Sequence, residues 1–213
     1  MTYTEEWLTN FDGNIDITTV SMSPFINSIE RNVSQCEYLY STDLEGIEHI
    51  RIKVSNENIP HLLGLSRNHH RGLPTYHASA IFEGLKREWN LEKLKSRDTG
   101  WFNENKEKII GCLFLYQMLN IVECKVYTTL NNKAANKRLT RDNIYFIIFK
   151  HANKNSYSIE LTEESSSDEI KTYVPRSLKI NDNIEKHCTE ITLTLINKIR
   201  ISKKSKPKIV SWT

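Results

Sequence analysis

A chain of 213 residues with 38% hydrophobic and 26% charged side chains can bury a sizeable core and has the balance of an ordinary globular protein. No stretch approaches the roughly 18 consecutive apolar residues of a membrane span, and the start Met1-Thr2-Tyr3-Thr4-Glu5-Glu6 lacks a basic segment leading into an apolar one, so neither a membrane anchor nor a signal peptide is expected. The net charge of +3 hides an asymmetry: residues 1–60 carry ten acidic against three basic side chains, while residues 61–213 carry sixteen against twenty-six. An acidic front and a basic body suit a polyanionic partner, or else a scattered, solvated surface.

Residues 1–22 read as an irregular segment with a turn at Asp12-Gly13-Asn14. Phe25, Ile29, Val33, Cys36 and Leu39 or Tyr40 recur at helical spacing behind Ser23-Pro24, which predicts an amphipathic helix over 24–40. Ile50, Ile52 and Val54 alternate with Arg51 and Lys53, the period of a half-buried strand over 48–54. Asn58-Ile59-Pro60-His61-Leu62-Leu63-Gly64-Leu65 follows, one polar ring at the head of an apolar tetrad broken by glycine. Local chemistry favours a hydrogen-bonded core or helix-start histidine at His61; the functional reading sets its ring at a cleft mouth beside bound polyanion. Arg67-Asn68-His69-His70-Arg71-Gly72 is a loop dense in groups that meet phosphate.

A second helix opens at Pro74-Thr75 with Ala78, Ile81, Phe82, Leu85 and Trp89 on its apolar face, and a basic linker follows. A third spans about 103–120, apolar almost all round at 109–116, and therefore belongs in the middle of the core. Then the period changes. Val122 to Leu130 reads as a strand, 131–142 as a basic connection, 144–149 as a central strand covered on both faces, and Tyr157, Ile159 and Leu161 as the returning strand of a hairpin. The acidic, serine-rich stretch 163–169 reads as a loop. Thr172-Tyr173-Val174-Pro175 is strand-like until proline stops the pairing. Ile191, Leu193, Leu195, Ile199 and Ile201 keep period two, a single long last strand whose opposite face holds Lys198 and Arg200, with a basic tail over 202–213. Helices first and an antiparallel sheet of about four to six strands afterwards make an α+β fold, read as a single domain over 1–213.

Cys36, Cys112, Cys124 and Cys188 are widely separated with no CxxC or metal spacing, which reads as reduced thiols in a cytoplasmic protein. His69, His70 and His77 lack the partners of a zinc site, so no metal and no cofactor is assigned. A metal-dependent DNA endonuclease of the PD-(D/E)xK kind would use Asp98, Glu123 and Lys125, two carboxylates for the ion and a lysine for the attacking water. A chance three-residue pattern or a strand-edge charge pair accounts for the same residues. RNA cleavage by its own 2′-hydroxyl needs no ion cage: a base, an acid and cations suffice. The basic body supplies His61, Arg138, Tyr173 and Lys198 without an obvious carboxylate cluster, which fits this second chemistry.

The strand leading into Ile59-Pro60-His61-Leu62-Leu63-Gly64-Leu65, a helical insert, an apolar strand and then Tyr173-Val174-Pro175-Arg176-Ser177-Leu178 resembles a phage-associated group of the barnase–EndoU–colicin–RelE-like nucleases, over about residues 24–201. The resemblance implies helices packed on an antiparallel sheet and a metal-independent endoribonuclease, toxin-like or acting in phage defence. It matches His61, Tyr173 and Ser177 to motif positions, while Arg176 departs from the usual apolar residue. Thr128 and Arg138 join them as catalytic candidates on chemistry and position alone. Arg67, Arg71, Lys133, Lys137, Arg141, Lys198 and Arg200 are the expected nucleic-acid contacts. The expected partner is RNA, with DNA left open, and an antitoxin or inhibitor protein as a second open partner; no membrane is expected, and the oligomeric state stays open. The alternative is the same fold as a non-catalytic nucleic-acid- or partner-binding module.

Overall fold

The computed structural model describes residues 2–65, 73, 75–122, 124–129, 143–149, 154–164 and 170–201, with the main chain alone at 143–149 and 187. The N-terminal segment is more regular than its composition suggests. Thr4 Oγ1 accepts the Trp7 N–H at 3.1 Å and starts helix α1 (Glu5–Asn10), whose first turn carries Glu5 and Glu6 against the helix dipole. Asp16 caps a 3-10 turn over Ile17–Thr19 in the same way.

Helix α2 (Met22–Asn32) stops eight residues before the predicted end at 40. Gln35 adopts φ 55°, the chain reverses, and Cys36–Thr42 is strand β1. Cys36, Tyr38 and Tyr40 are buried between half-buried Glu37 and Leu39. Val33, Cys36 and Tyr40 fit helical spacing too, so the two periods coincide over this stretch, and the strand period is the one the fold adopts.

Strand β2 (His49–Val54) leads into helix α3 (Asn58–Leu62). Helix α4 (Ala78–Arg87) keeps the predicted face, and the basic linker after it is itself helix α5 (Leu91–Arg97), capped by the Asn90 side chain at the Lys93 N–H. The predicted helix over 103–120 is three pieces, α6 (Thr99–Asn105), α7 (Glu107–Leu113) and α8 (Leu115–Leu119). Lys106 (φ −53°, ψ −40°) and Phe114 (φ −77°, ψ −11°) keep helical backbone at the joints. Ile109, Cys112, Leu113, Phe114 and Leu115 are fully buried, as the all-round apolar pattern predicts.

The strands β3 (Lys125–Thr128), β4 (Asn143–Phe149), β5 (Ser156–Glu164), β6 (Lys171–Ile180), β7 (Thr189–Ile191) and β8 (Leu193–Arg200) complete an eight-stranded sheet in the order β7-β3-β4-β5-β6-β2-β1-β8. Every described pairing is antiparallel except β2 with β6. The α+β class with helices on a mostly antiparallel sheet is as expected. The strand count exceeds four to six because β1 replaces the end of the expected helix over 24–40 and the last strand divides in two. β7 and β8 sit at opposite ends of the order yet only Thr192 separates them. Two peptide steps span at most about 7.6 Å, so the two edges of the sheet meet there and the sheet curls on itself. Asp43, just after β1, holds the junction: its Oδ1 accepts the Thr192 N–H at 2.9 Å and its N–H donates to the Thr192 carbonyl at 3.4 Å.

β8 departs from its predicted faces. Its register on β1 passes from Leu39↔Asn197 to Tyr40↔Leu195, leaving Ile196 as an extra residue. Beyond that bulge Ile199 is 56% exposed and Ile196 51%. Lys198 and Arg200 turn instead toward the helices. Lys198 Nζ donates to the Asn32 carbonyl at 2.7 Å, and the Arg200 guanidinium donates to the Glu30 and Arg31 carbonyls at 3.0–3.3 Å. Those carbonyls belong to the last turn of α2, which has no following helical N–H groups to bond them, and there a cation also meets the negative end of the dipole.

Tyr38, Ile52, Tyr173, Ile159 and Leu178 form the sheet side of the core under the helices. α7 crosses β6 at Gly111, where a Cβ would lie 2.5 Å from Leu178 Cδ2. Gly111→Ala is therefore expected to cost about 1–3 kcal/mol by overpacking, read as a lower denaturation midpoint with an unchanged slope. The Thr192 N–H holds the Asp43 carboxyl below the usual carboxylate range. A depressed native value means a contribution to stability present above the unfolded value of about 3.9 and lost as pH falls through the native one. Asp43→Asn keeps an acceptor oxygen without titrating, so its melting difference from wild type should shrink on going from about pH 6 to about pH 3.

Candidate functional site

The Asn58–Leu65 motif owes its shape to its two ends. At the start, Asn58 Oδ1 accepts the Ser55 N–H at 2.7 Å and the Ser55 hydroxyl at 2.9 Å, while its Nδ2 donates to the Pro175 carbonyl at 3.1 Å. At the finish, Gly64 N–H donates to the His61 carbonyl at 3.0 Å and Leu65 N–H to the Pro60 carbonyl at 2.8 Å, with Gly64 at φ 74°. That pair of bonds is a Schellman stop, and it explains the glycine inside the apolar tetrad. A Cβ at Gly64 would also lie 2.5 Å from Asn105 Oδ1. The Leu63 carbonyl takes the Trp101 indole N–H at 3.1 Å. Ile59, Leu62, Leu63 and Leu65 are buried, and His61 is exposed. Of the local expectation, a core or helix-start histidine, the core half is corrected: the ring stands on the solvent side of a short helix whose other face is anchored. Three residues after Asn58 in a helix, His61 shares its flank and lies near the Pro175 crossing.

β6 continues through Pro175 to Ile180, past the proline that was expected to end it. Pairing with β2 ends at Ile52↔Tyr173, and the Pro175 carbonyl points to Asn58. A strand residue presents its N–H and C=O on the same side, so the missing proline donor costs the β5 ladder nothing. On the β5 side the register passes from Leu161↔Pro175 to Glu160↔Ser177, leaving exposed Arg176 as the bulged residue. The bulge reverses the alternation. Tyr173 is fully buried on the helix side beside Ile52, whereas Ser177, adjacent to core-facing Leu178, is on the opposite, outer face. There Ser177 Oγ donates to Glu160 Oε2 at 2.7 Å, with Lys179 Nζ 3.7 Å from the same oxygen and 3.0 Å from Asp182.

The sequence candidates therefore do not share one cluster. Thr128, at the end of β3 between Ile144 and Thr189, is fully buried. Next to it Tyr127 lies on the opposite face, buried against Ile184 and Cys188; burial, then the adjacent Glu190 carboxylate, push its phenol above the usual range. Lys125 pairs with Glu190 at 3.2 Å. Asp98 is the cap of α6, accepting the Trp101 N–H at 2.8 Å. His77 precedes α4 with its ring 4.7 Å from that of Tyr76. Lys198, besides its helix-end bond, lies over the Tyr38 and Tyr116 rings at 5.3 and 5.5 Å. Arg67, Arg71, Glu123, Lys133, Lys137, Arg138, Arg141 and the tail over 202–213 lie outside the described residues. Among the described residues no three His, Cys, Asp or Glu side chains group as metal ligands, and no helix is long and apolar enough to cross a membrane.

Glu160 was missed. It occupies the polar phase of the Tyr157-Ile159-Leu161 alternation, a signal for facing outward, but its meeting with Ser177 depends on a bulge that alternation does not encode. Asn58→Ala removes both the turn acceptor and the tether to Pro175. It is expected to destabilise the fold by about 1–2 kcal/mol, measured by chemical denaturation, with increased amide exchange confined to 55–65 and the β6 bulge.

Residues 32–210 match a family model described as phage-Barnase-EndoU-ColicinE5/D-RelE like nuclease 4. No curated protein and no solved structure matches the chain. The match covers most of the sequence, including α3, the β6 bulge and the whole described sheet, and a nuclease family acts on nucleic acid. The chain belongs to the phage-Barnase-EndoU-ColicinE5/D-RelE like nuclease 4 family.

Proposed function

We propose that the protein is a metal-independent endoribonuclease that cleaves RNA by attack of the ribose 2′-hydroxyl. The observation that carries this reading is the exposure of His61 on a short helix fixed at both ends and tied to β6. An ordinary imidazole titrates near ~6.5 and exchanges protons at neutral pH; a fixed backbone gives it the constant position that proton transfer in a transition state requires. Exposed Arg176, on the same bulge, supplies a guanidinium suited to two phosphate oxygens. Arg138, Arg67, Arg71, Lys133, Lys137 and Arg141 are the further phosphate contacts of this reading. Tyr173 and Thr128, fully buried, act by holding β6 and β3 in place rather than by touching RNA. Lys198 and Arg200 act by fixing α2. The family's phage association supports a toxin-like or phage-defence role in the cytoplasm, with an antitoxin or inhibitor protein as counterpart.

A second reading, a fold that binds RNA or a partner without cutting, draws on that burial of two catalytic candidates. The two separate on one assay. Purified protein incubated with single-stranded RNA in excess EDTA is expected to leave 2′,3′-cyclic phosphate ends, and binding should weaken with salt by roughly one counterion per phosphate contact. His61→Ala is expected to slow cleavage at least ~100-fold with unchanged melting and RNA affinity. Full activity in the folded variant overturns the role of His61. Tight binding without cleavage by wild type establishes the second reading, and strict Mg²⁺ dependence the metal-dependent one through Asp98, Glu123 and Lys125.

A further inference from the structure

Residues 1–20 carry four carboxylates and no lysine or arginine, and they precede the stretch that the family model matches. They form a groove of their own. Trp7 on α1 and Phe11 at its end stack with ring centroids 4.7 Å apart and planes 23° off parallel. Those rings floor a cleft of about 540 Å³ whose rim holds exposed Glu6, Asp12 and Asn14. Asn14 also lines a second cleft, of about 400 Å³, floored by Ile17, Phe102 and Ile110 and edged by Asp16, Lys106 and Glu107. We propose that the two clefts together are a docking groove for an extended, arginine- and lysine-rich segment of a partner protein.

Charge complementarity decides the occupant. Glu6, Asp12, Asp16 and Glu107 set four carboxylates against Lys106, and among the described residues none of the four forms an ion pair. Asp12 and Asp16 each spend one oxygen locally, Asp12 Oδ1 accepting the Asn14 N–H at 2.8 Å and Asp16 Oδ1 the Thr18 N–H at 2.9 Å. The Thr18 hydroxyl and N–H hold the Asp16 carboxyl below its usual range, so it stays charged. A nucleic acid has the wrong sign for this surface. The apolar floor adds the second half of the recognition: a guanidinium laid on half-buried Trp7 meets the negative face of the indole, and its N–H groups fork toward carboxylates on the rim of the same cleft. Side chains on one side of an extended segment recur roughly every 7 Å, which suits two clefts that share Asn14. The surface is also fixed in advance. Gln117 Nε2 donates to the Leu8 and Phe11 carbonyls at 2.8 and 2.7 Å, and the Ser28 hydroxyl donates to the Tyr3 carbonyl at 2.6 Å. A preformed groove keeps the ordering cost of binding low.

The test titrates the full chain against a fluorescein-labelled peptide of alternating arginine and alanine, followed by anisotropy at physiological salt. The arginine peptide is expected to bind and to slow amide exchange at 4–18 and 102–110, whereas a peptide of alternating glutamate and alanine does not bind. Glu6→Gln combined with Glu107→Gln is expected to weaken binding at least ~5-fold, about 1 kcal/mol, at an unchanged melting temperature. Glu45→Gln with Glu48→Gln removes the same charge at exposed positions outside both clefts and should leave affinity within about twofold. Trp7→Leu keeps an apolar floor without a π face and is expected to lower the affinity as well. The proposal is overturned if wild type binds neither peptide, if the two glutamine pairs bind alike, or if protection falls outside the clefts. It is overturned too if Lys203→Ala, Lys204→Ala, Lys206→Ala and Lys208→Ala combined bind the peptide at least ~10-fold tighter than wild type, since the occupant would then be this chain's own basic tail.

Discussion

The bulge at Pro175–Arg176–Ser177 is the constraint on which the arrangement of the molecule turns. A strand that kept strict alternation would put Tyr173 and Ser177 on one face. The additional residue separates them, so that Tyr173 goes under the helices and Ser177 goes to the outer face with Glu160. Proline at the start of the bulge is part of the same solution. It ends the parallel pairing with β2, and its carbonyl becomes the docking point for Asn58 and hence for α3. A single irregularity thereby sets the face of the core tyrosine, the register of the β5–β6 hairpin and the place of the His61 helix.

A second irregularity closes the sheet. Thr192 lies between β7 and β8, which belong to opposite edges, and its two bonds to Asp43 fasten the turn. The β8 bulge beyond it points Lys198 and Arg200 at the α2 carbonyls. An edge strand tied at one end to β3 through β7 and at the other to a helix terminus has little freedom to shift register. Burial of Tyr38 and Tyr40 on β1 adds to this, the Tyr40 hydroxyl donating to the Leu119 carbonyl of α8.

Much of the architecture was legible because one period dominated each stretch. β2, the β4–β5 hairpin, the α4 face and the buried 109–115 segment all carry unambiguous patterns. Errors arose where two periods overlap, as at Val33-Cys36-Tyr40, or where a local device outweighs composition, as at the Thr4 cap of α1. Lys198 and Arg200 look like outward cations on a polar face, and only the Ile196 bulge, invisible to periodicity, turns them inward. The site suffered the same way. His61 and Ser177 were visible as chemistry, but their relation depends on the bulge at Arg176, and Glu160 has meaning only through the register that the bulge creates.

The charge asymmetry of the sequence takes on a different sense in three dimensions. Part of the acidic front is engaged by contacts within the protein, although Asp16 and Asp43 stay exposed. Glu30 of α2 holds Lys86 of α4 and the Asn56 side chain, Glu37 faces Arg51 at 3.8 Å, Asp43 holds Thr192, and Asp16 caps its own turn. Some of the basic body is used likewise, in Lys198, Arg200 and Lys86. What is left for a polyanion is therefore smaller and more localised than the count of twenty-six basic residues over 61–213 implies. Pairs exposed on both sides, such as Lys125 with Glu190, add little stability. Affinity for nucleic acid must then come from cations that face solvent without a structural duty, and among the described residues of the bulge Arg176 has that character. This is the physical reason for seeking the site where the strand is irregular instead of where the sequence is most basic.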